Sequence, residues 1–344
     1  MIRTIGVRTL YFLMFIAASG SLAHGQELPV IPPVFAPTTC VPDAVQPGIC
    51  NLCDLNRGNP GFLAGTRDFP NFIGFISNPT QSIDPRANTE IYPIFGSGWV
   101  SGNGPLLANG NGQVYGAGMT VALSDRFSMG LNQGGYAVVE LGSDRQRLLA
   151  KLGLPIPDRD IGGQREGWMN LGGFFQYTLI ADVPRQFLLT AGVRWEAPSG
   201  AEQVFQGGAN PAYLAPYLTA GKEFGFWHVL ATTGYEFPTG SGQTTTNTAY
   251  LNFHIDRQIG WFYPLVEFNG SYHTSTVDLN LPARHEVIDL GGFTSAGNML
   301  SISVGANAVL VPGKLEFGAV YSRPIVAQDR FDVNGLLVKM VYRY

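Results

Sequence analysis

Charge is scarce in this chain. Only 13% of its 344 residues are Asp, Glu, Lys or Arg, against roughly 25% in an average globular domain. Its 21 Lys and Arg form no basic patch, which argues against nucleic-acid binding. Beyond the N-terminus no stretch approaches the roughly 18 uninterrupted apolar residues of a membrane-spanning helix. Catalytic signatures are missing too. Ser271, His273 and Asp278 are close in sequence but lack a G-x-S-x-G context, and there is no Walker-type loop and no H-E-x-x-H. The residues therefore do not point to an enzyme, and no cofactor or metal is expected.

What is present is alternation. Phe187, Leu189, Ala191, Val193 and Trp195 are apolar, while Thr190, Gly192, Arg194 and Glu196 fill the positions between them. The pattern returns in Trp227, Val229, Ala231, Thr233, Tyr235 and Phe237 against His228, Thr232, Gly234 and Glu236. It returns again in Ala249, Leu251, Phe253 and Ile255 against Tyr250, Asn252, His254 and Asp256. A period of two over ten or more residues is a β-strand with two unlike faces. Strands of soluble sandwiches are usually shorter, about five or six residues. Long strands that are aromatic-rich on one side and carry glycine and charge on the other fit a transmembrane barrel, with lipid outside and polar groups inside.

The N-terminus reads as an export address. Arg3 and Arg8 precede the apolar run Leu10 to Ala18, and Ala23 and Gly25 place small residues at the −3 and −1 positions of a cleavage before Gln26. Residues 1–25 are thus expected to be a signal peptide that is removed. Residues 26–87 form a leader of different character, punctuated by Pro29, Pro32, Pro33, Pro37, Pro42, Pro47 and Pro60, so regular structure should be sparse. Phe62, Phe69, Phe72 and Phe75 give it more aromatics than a solvated tail needs. Two readings stand: a segment docked in or against the barrel mouth like a plug, or a disordered periplasmic leader. The three cysteines, Cys40, Cys50 and Cys53, all fall here. In an oxidising compartment two of them are expected to form a disulfide. Cys50 and Cys53 also have C-x-x-C spacing, but no βα context, second pair or nearby His completes a redox or zinc motif.

From residue 88 to 344 the chain divides into twelve strand candidates. They are Thr89–Val100, Gln113–Leu123, Phe127–Val139, Trp168–Ala181, Gln186–Ala197, Ala212–Lys222, Phe226–Phe237, Asn247–Ile255, Gly260–His273, Asn298–Leu310, Lys314–Ser322 and Asp332–Tyr344. Six longer loops and five short turns alternate strictly between them, as they must when the two ends of a barrel face different compartments. The expected fold is all-β: a single transmembrane antiparallel barrel of about twelve strands, preceded by the irregular Pro- and Cys-containing leader. An even count puts both termini on the periplasmic side of an outer membrane. An open sheet of this size would leave two edges unpaired in lipid, so closure is required. One internal echo marks topology. Trp195-Glu196-Ala197-Pro198-Ser199-Gly200 recurs as Tyr235-Glu236-Phe237-Pro238-Thr239-Gly240, aromatic outward and glutamate inward, with Tyr321-Ser322-Arg323-Pro324 a looser copy.

By parity the lumen receives Arg194, Glu196, Glu236, His254, Asp256, Glu267, Glu316, Lys339 and Arg343, as well as His228 and His273. Such groups can pair across a narrow barrel and hold its wall, or form a polar constriction that selects small solutes. The two accounts are compatible.

The blocks Gly221-Lys222-Glu223-Phe224, Gly234-Tyr235-Glu236-Phe237-Pro238-Thr239-Gly240 and Gly335-Leu336-Leu337-Val338-Lys339-Met340 resemble the outer-membrane barrels grouped as phenol-degradation meta-pathway proteins, and most of all their Planctomycete-type members. The similarity covers roughly residues 88 to 344. It implies a transporter-like barrel associated with uptake of aromatic or other hydrophobic compounds, and the family has no sharp signature from which a binding residue could be carried over. The ending, with Val338, Met340, Tyr342 and Tyr344 on one face, resembles the signal read by the barrel-insertion machinery. The expected partners are outer-membrane lipid, that machinery and a small-molecule solute. The function expected is a passive channel or importer for small solutes, and the alternative is a structural or surface-interaction barrel with a closed lumen.

Overall fold

Strands with one apolar and one polar face can bury neither face alone, and inside lipid their backbone groups must find partners on neighbouring strands. The computed structural model describes residues 63, 65–66, 68–100, 110–141, 163–204, 206, 212–239, 247–274, 299–327 and 333–344. In it, fourteen strand segments pair throughout in antiparallel fashion. They are β1 (Glu90–Val100), β2 (Asn111–Ala122), β3 (Phe127–Gln133), β4 (Gly135–Leu141), β5 (Gly163–Trp168), β6 (Leu171–Asp182) and β7 (Phe187–Ala197), then β8 (Tyr213–Phe224), β9 (Trp227–Pro238), β10 (Thr248–Arg257), β11 (Phe262–His273), β12 (Met299–Val311), β13 (Leu315–Ala327) and β14 (Val333–Arg343). β1 pairs with β2 on one side and β14 on the other, so the sheet closes.

The fourteen segments make twelve staves. β2 pairs first with β3 and then with β4, which are two halves of one stave separated by Gly134. Gly134 has φ of 153°, a conformation that costs a glycine little and a residue with a Cβ a great deal. The facing stave, β5 with β6, breaks at Met169 and Asn170 alongside it. The sequence pattern treats each of these pairs as one straight strand, and it starts the second at Trp168 rather than Gly163. A third difference lies in β13, which runs past Ser322 to Ala327. It carries Pro324 through a register shift opposite Leu300 and Ser301, and bulges are among the few places where a sheet accepts proline.

Most staves are 10 to 13 residues long, which suits tilted strands crossing a hydrocarbon layer. Their outer faces carry Phe175, Val193, Leu218, Leu251 and Val304 exposed along the middle. Aromatics ring both ends: Phe224, Phe226, Trp227 and Trp261 by the short turns, and Trp99, Trp168, Tyr272 and Tyr321 toward the long loops. Arg257 lies over the Trp227 ring and Lys222 over Phe224, cations beside rings at an interface level. On the inner face, glycines make room for tyrosines of the adjacent stave. A Cβ at Gly118, Gly192 or Gly234 would fall 2.2 to 2.4 Å from the ring of Tyr92, Tyr217 or Tyr250.

Candidate functional site

The lumen is filled. No helix or strand is found among the described residues before Glu90, yet Phe69, Phe72, Ile73, Phe75, Ile76 and Ile83 are all buried. This stretch enters beside the short turns, where Gln186 Nε2 donates to the Asp68 carbonyl (3.1 Å) and Asn71 to Glu223 (3.3 Å). It climbs the inner wall, turns at Asn78, whose carbonyl accepts from the Ser82 N–H (2.9 Å), and descends to β1. At the base the Thr66 N–H donates to the Ala87 carbonyl (2.7 Å), so the two limbs are tied to each other at the end where both leave.

The wall holds this segment chiefly by its backbone. Glu267 on β11 accepts the N–H groups of Ile76 (2.8 Å) and Ser77 (2.6 Å). Lys339 Nζ on β14 donates to the Phe75 carbonyl (3.0 Å), and Asn132 on β3 to that of Thr80 (2.5 Å). On the descending limb Thr219 on β8 donates to the Ile83 carbonyl (2.9 Å) and Thr190 on β7 to Pro85 (2.6 Å). Gln176 on β6 serves both Asp84 (3.0 Å) and Arg86 (3.2 Å). Side chains add apolar anchorage. Phe72 sits edge-on to His228 with centroids 5.8 Å apart and packs with Phe69, Leu188 and Leu230. Phe75 sits likewise against His254, at 5.5 Å. Within the segment Arg86 pairs with Asp84 at 2.6 Å. Burial opposes ionisation of Asp84, but the Arg86 guanidinium outweighs it and holds the carboxyl at about 2.

The nine charged positions read from the sequence all lie on the inner face, eight of them in three groups and Lys339 apart. Toward the long loops, Arg194 is 2% exposed and held by Glu196 (2.9 Å), Glu236 and Gln133 (2.9 Å). The two glutamates of the repeated Trp/Tyr-Glu motif therefore converge on one guanidinium, and Asn170 at the stave break donates to Glu196 (2.7 Å). The turn after β7 brings Val204 into a buried apolar cluster on the inner wall that also holds Ile94, Val114, Val139 and Met169. Near the short turns Arg343 is clamped by Glu90 (2.9 Å) and Glu316. Between these levels runs a hydrogen-bonded chain: His228 Nδ1 to Asp256 (2.6 Å), Asp256 to His254 Nε2 (2.9 Å), and His254 Nδ1 to Glu267 (2.7 Å). Lys339 belongs to neither clamp, since it engages the Phe75 carbonyl and the Tyr92 ring. Among the described residues no group of three or more His, Cys, Asp or Glu is placed to hold a metal.

Several members of this site carry no charge and were not singled out by sequence: Asn132, Gln176, Thr190, Thr219 and Asn269, the last donating to Ser77 Oγ (2.7 Å). Their parity was the available signal, because each sits at an inward position of its strand. Cys40, Cys50 and Cys53, and residues 1–25, expected to be a signal peptide, lie outside the described residues.

No family model matches the sequence, and no curated protein does. Among solved structures, the chain is similar to an outer membrane channel from Pseudomonas putida F1, with a TM-score of 0.53 and 11% identity over 77% of this chain and 98% of that one. More distant are a TodX deletion mutant, described as a monoaromatic hydrocarbon channel (TM-score 0.40, 9% identity, 77% and 92% covered), and the β domain of the Bordetella autotransporter BrkA (0.40, 14%, 75% and 100%). These last two are too remote to bear on the argument. The chain has the closed, all-β, twelve-stranded antiparallel fold of an outer-membrane barrel.

Proposed function

We propose that this protein is an outer-membrane channel for small solutes whose lumen is occupied, in the state described, by residues 68–88 acting as a plug. The short-turn end faces the periplasm in this reading, which puts both limbs of the plug on the side from which the chain was exported. One observation carries the proposal. The inner wall is polar and turns its groups on the plug: Glu267, Lys339, Asn132, Gln176, Thr190 and Thr219 each bond the plug's backbone. A wall serving only as a girder would be expected to satisfy such groups internally, since buried polar atoms without partners each cost about 1–3 kcal/mol. A wall that exchanges a polypeptide for water and solutes keeps them. The resemblance to phenol-degradation meta-pathway barrels favours aromatic or other hydrophobic compounds as cargo.

Planar-bilayer recordings of the mature chain and of one lacking residues 26–87 test the reading. The shortened chain is expected to conduct more. Silence from it, with heat-modifiable migration confirming a folded barrel, would favour the closed structural barrel instead.

A further inference from the structure

We propose that the plug is held by a proton-sensitive latch centred on Glu267, which releases the amides of Ile76 and Ser77 when its carboxylate takes up a proton. The geometry dictates the proton inventory. His254 presents Nδ1 to Glu267 at 2.7 Å and Nε2 to Asp256 at 2.9 Å, so two bonds to two carboxylates require both ring nitrogens to donate. His228 Nδ1 must donate to the other oxygen of Asp256 at 2.6 Å. With both acids ionised, His254 is an imidazolium and every link is satisfied. A further proton can enter at His228 Nε2 without breaking a link, because that atom bonds nothing and lies 3.9 Å from Glu223. Glu267 differs, because its charge is what the plug amides bind. Its Oε1 accepts from His254 and Ile76, and its Oε2 from Ser77. A proton on Oε1 turns an acceptor into a donor facing a donor, and one on the second lone pair of Oε2 removes the charge that strengthens all three bonds. Either way the hold on the plug amides weakens.

Other charged groups around the latch are otherwise engaged. Arg86 is held by Asp84, and Arg343 by Glu90 and Glu316. Lys339 binds the Phe75 carbonyl, and Tyr263 packs beside His228. The sign of the linkage follows. The docked state, with Glu267 ionised, binds fewer protons than the released one, so docking is present at neutral pH and is lost as pH falls. Asp84 is held at about 2, so it stays ionised while an ordinary carboxylate titrates at about 4.

The inference rests on the channel reading only for what release would open; docking itself is measured separately. Amide exchange of residues 72–86 in the full mature chain, referenced at each pH to the exchange of an unstructured peptide, reports plug protection directly. Protection is expected to hold between about pH 7 and about pH 5 and to fall below that, by at most about tenfold per pH unit for one proton. In Glu267→Gln it should be lower at neutral pH and flat with pH, whereas Glu267→Asp and Asp84→Asn should keep the acid step. Constant protection in the folded wild type, or an unchanged acid step in Glu267→Gln, would overturn the latch. Acid-dependent exchange without acid-dependent conductance would support the latch and count against the channel.

Discussion

Replacing Phe72 by alanine should loosen the plug without unfolding the barrel. The ring is 1% exposed and packed against Phe69, Leu188, Leu230 and the His228 imidazole. Truncating a buried phenylalanine costs about 3–5 kcal/mol. Leu188, Leu230 and His228 belong to the wall, on β7 and β9, so most of this energy should fall on the docking equilibrium. At 1.4 kcal/mol per decade, docking should weaken by roughly a hundredfold to a few thousandfold. Removing one hydroxyl donor, as in Thr190→Val or Thr219→Val, forfeits about 1 kcal/mol and so several-fold. Exchange protection of residues 72–86 measures the docking equilibrium, and heat-modifiable migration measures the barrel. If Phe72→Ala lowered the unfolding temperature while leaving protection of the segment unchanged, the segment would be an inseparable part of the barrel core and the reasoning would fail.

Other outcomes follow from the two faces of the staves. Leu251 points outward in mid-strand, so Leu251→Arg should cost about 2–4 kcal/mol and impair insertion, read as loss of heat-modifiable protein. Arg194→Gln leaves Glu196 and Glu236 facing each other without their cation. Breaking a buried pair of this kind costs about 3–5 kcal/mol, visible as a lowered unfolding temperature. Glu196→Gln with Glu236→Gln removes negative charge near the long-loop mouth, so the reversal potential of the open channel in a salt gradient should move toward anions. Reducing agent should leave barrel migration unchanged, since Cys40, Cys50 and Cys53 all precede the first stave.

The staves were legible because their cause is local. A period of two can be read from side chains alone, and it puts Arg194, His254, Asp256, Glu267, Glu316 and Arg343 on one face whatever their partners. The partners were not legible, because they depend on register across several staves. Glu196 and Glu236 meet at Arg194 only once Arg194 is set opposite Ala215 and Tyr217 opposite Gly234. The break at Gly134 was hidden for another reason. It is one of 44 glycines, and nothing in composition separates a kink from a gap left for a tyrosine. The filled lumen was hardest to foresee. Gln176, Thr190 and Thr219 recognise carbonyls, which every residue has, so the docked stretch carries no polar pattern that matches them. Only its phenylalanines hinted at burial.

The way the plug is held also sets it apart energetically from the staves around it. Each stave is joined to two neighbours by continuous ladders, so removing one would strand a row of backbone groups in lipid, and the barrel must form as a unit. Residues 68–88 share no ladder with any stave. They are attached by isolated bonds from side chains on β3, β6, β7, β8, β11 and β14. Each of those donors and acceptors points into a lumen where water can replace the plug. Undocking therefore strands no backbone group, and the segment can open at a free energy well below that of global unfolding. That difference is what lets the wall and its occupant respond separately, with Glu267 one of several wall groups that weight the docking equilibrium.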